Sequence, residues 1–213
     1  MSSDLLKPVQ GWLNPINSRL TPPAPSERGI TFRAVSALSS FFGRSQVPDI
    51  FTVMNINPGL FWPWLLFASR LMPFGRLSGR EREQLILRTA WNCRSRYEWG
   101  QHVEIAFKVG VTDEEIIALT RDTETMTDKH MQTLMLACDE LCEQNQISDA
   151  TWAVLAKKYN EKYLIEIMLL VGHYRMIAGF LNSSGLQLEP TIEAVLQQFH
   201  QRAATILTPT QTT

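Results

Sequence analysis

The chain has 213 residues, 45% of them hydrophobic, with a net charge of −1 and a pI of about 6.4. This is enough chain to bury a core in one domain, alone or with an arm. It lacks the basic surplus that nucleic-acid binding needs. Its three cysteines, Cys93, Cys138 and Cys142, have no regular spacing, which argues against a disulfide framework and for a reducing, cytoplasmic compartment.

Residues 1–31 carry Pro8, Pro15, Pro22, Pro23 and Pro25 and show no periodicity. The opening Met-Ser-Ser-Asp lacks the basic and apolar regions of a signal peptide. Leu5, Leu6, Trp12, Leu13 and Leu20 are too apolar for a pure solvent tail, so an arm that wraps its own core or a neighbouring subunit is expected; simple disorder is the alternative. Short helices are expected over 33–44 and 48–55. Asn57-Pro58 marks a turn into a helix that reaches Leu71. Its apolar run, 59–68, is interrupted by Pro63 and is half the length of a membrane span, so it reads as a buried helix.

After Leu119 the pattern continues as helices. Residues 128–144 place Met131, Leu134, Met135, Cys138, Leu141 and Cys142 at helical spacing. Ser148 caps the next helix, with Trp152, Val154, Leu155 and Tyr159 inward. The longest helix spans 161–183, with a stripe of Tyr163, Ile167, Val171, Tyr174, Ile177 and Leu181, and Gly185 ends it. Pro190 opens a last helix over 191–201. No stretch shows strand alternation. The expected fold is all-α: a compact multi-helix bundle with an arm (1–31), a helical domain (32–203) and a disordered tail (204–213). His130 and His200 read as solvated, and His173 as a satisfied structural histidine.

The segment 77–119 holds the groups that could do chemistry. Ser78-Gly-Arg-Glu81, Ser95-Arg-Tyr-Glu98 and Thr112-Asp-Glu-Glu115 each have the S/T-x-x-E form of a capping box, so three helices start there with a break near 92–94. Glu98 and His102 share a helix face. On a continuous rod Glu83 would join them, on the arc of Leu87, Trp91 and Ile105. Titratable groups beside an apolar stripe suit acid/base work. The plain alternatives are that Glu98 ties down its own helix, that His102 is a surface partner, and that Arg80-Glu81-Arg82-Glu83 is a solvated run.

Arg80 to Glu83, Arg96-Tyr-Glu-Trp-Gly-Gln-His102, Ile105-Ala106 and Gly110-Val-Thr-Asp-Glu-Glu-Ile116 resemble the carboxymuconolactone decarboxylase / alkylhydroperoxidase D superfamily. Its redox branch has a Glu, eleven residues, a Cys, two residues, a Cys, three residues and a His; Glu83, Ser95, Glu98 and His102 stand at those places here. Both cysteines are therefore replaced. A disulfide-cycling peroxidase needs a reactive thiolate and a resolving thiol, so a decarboxylase-type lyase is favoured over a peroxiredoxin-like hydroperoxide reductase.

The resemblance implies an alkylhydroperoxidase D-like bundle that self-associates as a trimer or hexamer. The expected catalytic residues are His102, Glu98 and Glu83. Tyr97, Ser95, Arg94, Arg96 and Trp99 are the expected contacts to a small carboxylate or lactone substrate. No metal, cofactor, nucleic acid or membrane is expected. A non-catalytic oligomer that binds a small molecule is the reading from a different class.

Overall fold

A computed structural model describes residues 4–208 apart from 14, 16, 30, 31 and 33–46. The helix expected over 33–44 and residues 209–213 lie outside the described residues. Nine α-helices and two short 3₁₀ turns make up the described residues, with no strand among them. In chain order they are α1 (Asp49–Met54), α2 (Pro58–Leu71), α3 (Gly79–Asn92), α4 (Arg96–Lys108), α5 (Asp113–Ala118), α6 (Lys129–Gln144), α7 (Asp149–Lys158), α8 (Glu161–Ser184) and α9 (Pro190–Leu207).

Helix α3 is the hub, packing against α4, α6 and α8. Every residue from Arg82 to Ala90 is buried, although five of the nine are polar or charged: Arg82, Glu83, Gln84, Arg88 and Thr89. Arg82 and Glu83 of the charged run are therefore not on a solvated face, whereas Arg80 is exposed. Its buried groups must find partners inside the bundle. Arg88 forks onto Asp139 with two bonds of 2.7 Å and donates to the carbonyls of Leu119 and Arg121, stitching α3 to α6 and to the α5 exit.

Two of the three capping boxes form. Ser78 and Glu81 bond reciprocally at the start of α3, and Thr112 and Glu115 at the start of α5. The third does not. At Ser95 the chain leaves α3 through Cys93 and Arg94, the latter left-handed at φ 56°. The Ser95 backbone N–H donates to the Ala90 carbonyl at 2.9 Å, so the N–H that Glu98 would have accepted is already used. Ser95 makes no side-chain cap bond. Gly110 (φ 81°) follows α4, and Gly185 (φ 71°) ends α8.

Helix α8 buries Ile167, Val171, Tyr174, Ile177 and Leu181 as its stripe requires, while Tyr163 lies half-buried at its start. By length and composition it is apolar enough to cross a membrane; here it is a core helix of the bundle. Three expectations need correction. The run in α2 is not buried: only Phe61 and Leu71 of that helix are, and Leu60 and Leu66 are 68% and 64% exposed. A helix apolar on all sides has more faces than its neighbours α1 and α8 can cover. Trp152 and Val154 point outward on α7, leaving Leu155 and Tyr159 as its inward residues. Helix α9 continues through Leu207, into the segment expected as tail.

The arm packs on its own core. Leu6 is buried in the main cluster, and Trp12 sits edge-on to Trp91 at 5.5 Å and tilted against Trp99 at 6.0 Å. Leu13 N–H donates to the Arg94 carbonyl, and Arg19 and Leu20 N–H groups both donate to the Ser184 carbonyl.

Candidate active site

Glu83, from the middle of α3, and His102, from the second turn of α4, meet inside one chain. His102 Nδ1 lies 2.7 Å from Glu83 Oε2, and the other carboxylate oxygen accepts from Arg82 Nε at 3.0 Å. Glu83 is 0% exposed and His102 6%. The α3–α4 crossing brings them together, and the left-handed turn at Arg94 makes that crossing possible. The His102 ring stands edge-on to Tyr174 at 5.0 Å; Tyr174 is edge-on to His173 at 5.1 Å, which stacks on Trp64.

Glu98 is not part of this contact. It is 2% exposed, and neither of its oxygens has a hydrogen-bond partner. Burial, with the charge of a Cys93 thiolate adding to it, pushes its carboxyl well above the usual carboxylate range. Ser95 Oγ and Trp99 Nε1 nearby on the same helix are also buried without partners. The first turns of α4 thus carry three unsatisfied polar side chains, a concentration that stability alone does not favour.

The remaining expected contacts are engaged within the chain. Arg94 donates to Gly11 and Gln10 of the arm at 2.7–3.0 Å. Arg96 is forked between Asp4 (2.6 and 2.9 Å) and Glu193 (2.8 and 2.9 Å). Tyr97 donates to Glu189 at 2.7 Å, and burial together with Glu189 raises its phenol well above its ordinary range. A small cleft lined by Arg96, Tyr97, Leu13, Asn182 and Leu188 among others opens beside these residues, but neither Glu83 nor His102 lines it.

Sequence reasoning missed the aromatic frame of Tyr174 and Trp64, and it missed Trp12 of the arm. Tyr174 could have been found from its adjacency to His173 in the core stripe; Trp12 had no periodic signal at all.

The other histidines also differ from expectation. His130 is not solvated: its Nε2 is 3.0 Å from Glu81 Oε1 and from the Tyr159 hydroxyl, which itself donates to Glu81 at 2.6 Å. Burial opposes ionisation of Glu81, but the bonds from Tyr159, His130 and Ser78 outweigh it and bring that carboxyl down to about 2. His200 is half-buried, 3.8 Å from Asp4, with Nε2 unpartnered.

His173 is buried with Nδ1 unpartnered, so it is not a satisfied histidine. Burial, helped by the charge of His102, takes it down to about 4. The folded state then binds fewer protons than the unfolded chain, whose histidines titrate near 6.5. Stability is therefore full above about pH 6.5 and is lost as pH falls toward about 4, by at most about 3 kcal/mol. Denaturant unfolding at neutral pH and near pH 4.5 should show this loss in the parent and a much smaller one in His173→Phe. An equal loss in both would assign the acid sensitivity elsewhere.

Residues 58–136 match the model of the Carboxymuconolactone decarboxylase family. The fold is shared with solved structures of the alkylhydroperoxidase D type. Over residues 58–136 the chain is similar to the carboxymuconolactone decarboxylase family, and its fold is that of alkylhydroperoxidase D-like proteins.

An uncharacterised peroxidase-related protein from Silicibacter sp. TM1040 superposes with a TM-score of 0.74 at 13% identity, over 84% of this chain and 95% of that one. A peroxidase-related protein with an alkylhydroperoxidase AhpD core from Ralstonia eutropha JMP134 gives 0.73 at 16% identity, over 84% and 95%. The debrominase Bmp8, in complex with 2,3,4-tribromopyrrole, gives 0.68 at 16% identity, over 86% and 98%. No curated protein matches the chain in sequence. At these identities the solved structures establish the alkylhydroperoxidase D-like fold, which hosts more than one chemistry. The matched segment ends within α6 and includes both Glu83 and His102.

Proposed function

We propose that Glu83 and His102 are a general acid/base pair acting in decarboxylation, or proton transfer next to a carbonyl, on a small carboxylate or lactone. The 2.7 Å contact between His102 Nδ1 and Glu83 Oε2, inside the core, carries this reading. A carboxylate that accepts from Nδ1–H fixes the tautomer and leaves Nε2 to exchange a proton with substrate. Burying a carboxylate is a poor way to gain stability, so the position of Glu83 on a deeply buried helix favours a chemical role. Glu98, held neutral by burial, is a carboxylic acid whose O–H can donate to an oxygen that gains charge as an enolate develops.

The thiol-based alternative lacks its nucleophile and resolving group at Ser95 and Glu98. One observation favours a non-catalytic binder instead. The arm already fills the slot beside Trp91 and Trp99 and occupies Arg94 and Arg96.

Carbon dioxide release from a panel of carboxylactones and β-keto acids, with His102→Ala beside the parent, separates the two. The acid/base reading expects release by the parent and a fall of about 10²–10⁴-fold in the variant. Equal turnover in both would remove His102 from the mechanism, and no release from any compound would leave the binder ahead.

A further inference from the structure

The outer part of the arm is held to the bundle by few contacts. Between Asp4 and Leu13 only Leu6 and Pro8 are buried; Trp12 is half-buried, and Leu5, Val9 and Leu13 are exposed. Trp12 lies in the corner made by Trp91 of α3 and Trp99 of α4, whose own ring centroids are 5.3 Å apart. The residues that flank it grip Arg94. The Gly11 carbonyl accepts from Arg94 Nε at 2.7 Å, Gln10 accepts twice more, and Leu13 N–H donates to the Arg94 carbonyl at 2.9 Å.

The corner suits its occupant poorly. The Trp12 indole N–H is buried without an acceptor, and Trp99 Nε1, Ser95 Oγ and both Glu98 oxygens are unpartnered too. Ser95, Glu98 and Trp99 are at most 2% exposed and follow one another around the start of α4. A segment packed for stability alone would satisfy such groups. Aromatic walls, a guanidinium and spare polar atoms within one helical turn are instead what a ring bearing an anionic group would use.

We propose that the Trp91–Trp99 corner is a binding site for a small aromatic acid, and that Trp12 occupies it as an internal competitor. The ligand ring takes the place of the Trp12 indole. Its carboxylate takes the Arg94 guanidinium from the Gly11 and Gln10 oxygens, exchanging neutral acceptors for a charged one. A hydroxyl or amino substituent on the ring can pair with Ser95 Oγ or Glu98, which have no partner now.

The arm can yield without leaving the molecule. Arg19 and Leu20 N–H groups stay on the Ser184 carbonyl, while the outer segment is tied down chiefly by Leu6, Trp12 and the Asp4–Arg96 fork. Segments with so few buried contacts open most readily. Trp99 stands three residues before His102 on α4, so a ring bound there lies about one helical turn from the Glu83–His102 pair. That this ligand is also the substrate rests on the acid/base role proposed for that pair; the binding does not.

Indole-3-acetate, which carries the Trp12 ring and one carboxylate, is the probe, with indole as its uncharged counterpart. Calorimetric titration of the full chain should show binding to the parent and binding about tenfold or more tighter to Trp12→Gly, which lacks the competitor. Asp4→Asn loosens the arm without touching the corner, so it should also tighten binding, and it serves if the glycine variant does not fold. Indole should bind more weakly than indole-3-acetate, and Arg94→Gln should remove that difference. In the parent, the Leu13 amide should exchange faster with deuterium once the probe is bound. Absence of binding, equal affinity in the parent and the arm variants, a carboxylate preference that is missing or survives Arg94→Gln, or an unchanged Leu13 amide would overturn the proposal. None of these readouts involves turnover, so failure of the acid/base reading alone would leave them intact.

Discussion

Glu98→Met should make the protein more stable. Both oxygens of Glu98 are buried without a partner. A buried polar group without a hydrogen bond costs about 1–3 kcal/mol. Methionine is of similar length, has no strong acceptor to satisfy and adapts to irregular core space. The expected gain is about 1–3 kcal/mol, or roughly 2–4 °C in Tm for each kcal/mol at this chain length. If Glu98 donates a proton in the reaction, the same variant loses activity while gaining stability, the usual mark of a site that trades one for the other. A drop in Tm would mean that Glu98 has a partner that the geometry does not reveal.

Glu83→Ala should have the opposite effect, and a larger one. Glu83 has no exposed surface and holds two groups at once, Arg82 Nε and His102 Nδ1. Removing it leaves Arg82, itself 8% exposed, as a buried cation without this carboxylate. Breaking a buried pair from one side typically costs 3–5 kcal/mol, a large share of the roughly 5–15 kcal/mol that keeps a domain folded. Glu83→Gln keeps the volume and one acceptor oxygen but still leaves Arg82 without a carboxylate, so it should lose less stability than the alanine variant. Its activity should still fall, because an amide stabilises an imidazolium less than a carboxylate does. Chemical denaturation of the two variants checks the ordering. Parent-like stability in both variants would show that the charge of Glu83 does not matter to the fold, and the pair would then lose its claim to special placement.

The helices were legible in the sequence because caps and stripes are local signals. Ser78, Thr112 and Ser148 all begin helices where their side chains predicted, and Gly185 ends α8. The identical pattern at Ser95 failed because a cap also needs a free backbone donor. A tertiary turn had already taken that donor, which the sequence does not record. The burial of Arg82 and Glu83 was likewise hidden. A charged run is solvated unless its partners lie elsewhere in the chain, and here the partner, His102, comes from another helix.

Periodicity put Glu83 and His102 on one arc of a continuous rod, but the helix breaks at Arg94, so the two, nineteen residues apart, meet across a helix crossing instead. The engagement of Arg94 and Arg96 depended on Asp4, Gln10 and Gly11, residues of an arm without periodicity.

The proposed role of Glu83 is to fix the His102 imidazole and leave Nε2 for the reacting atoms. Nitrogen-15 NMR of the histidine-labelled protein at a mildly alkaline pH reads this without a substrate. The account predicts the proton on Nδ1, hydrogen-bonded to Glu83, and a bare Nε2. A proton on Nε2, with Nδ1 unprotonated against the carboxylate, would contradict it.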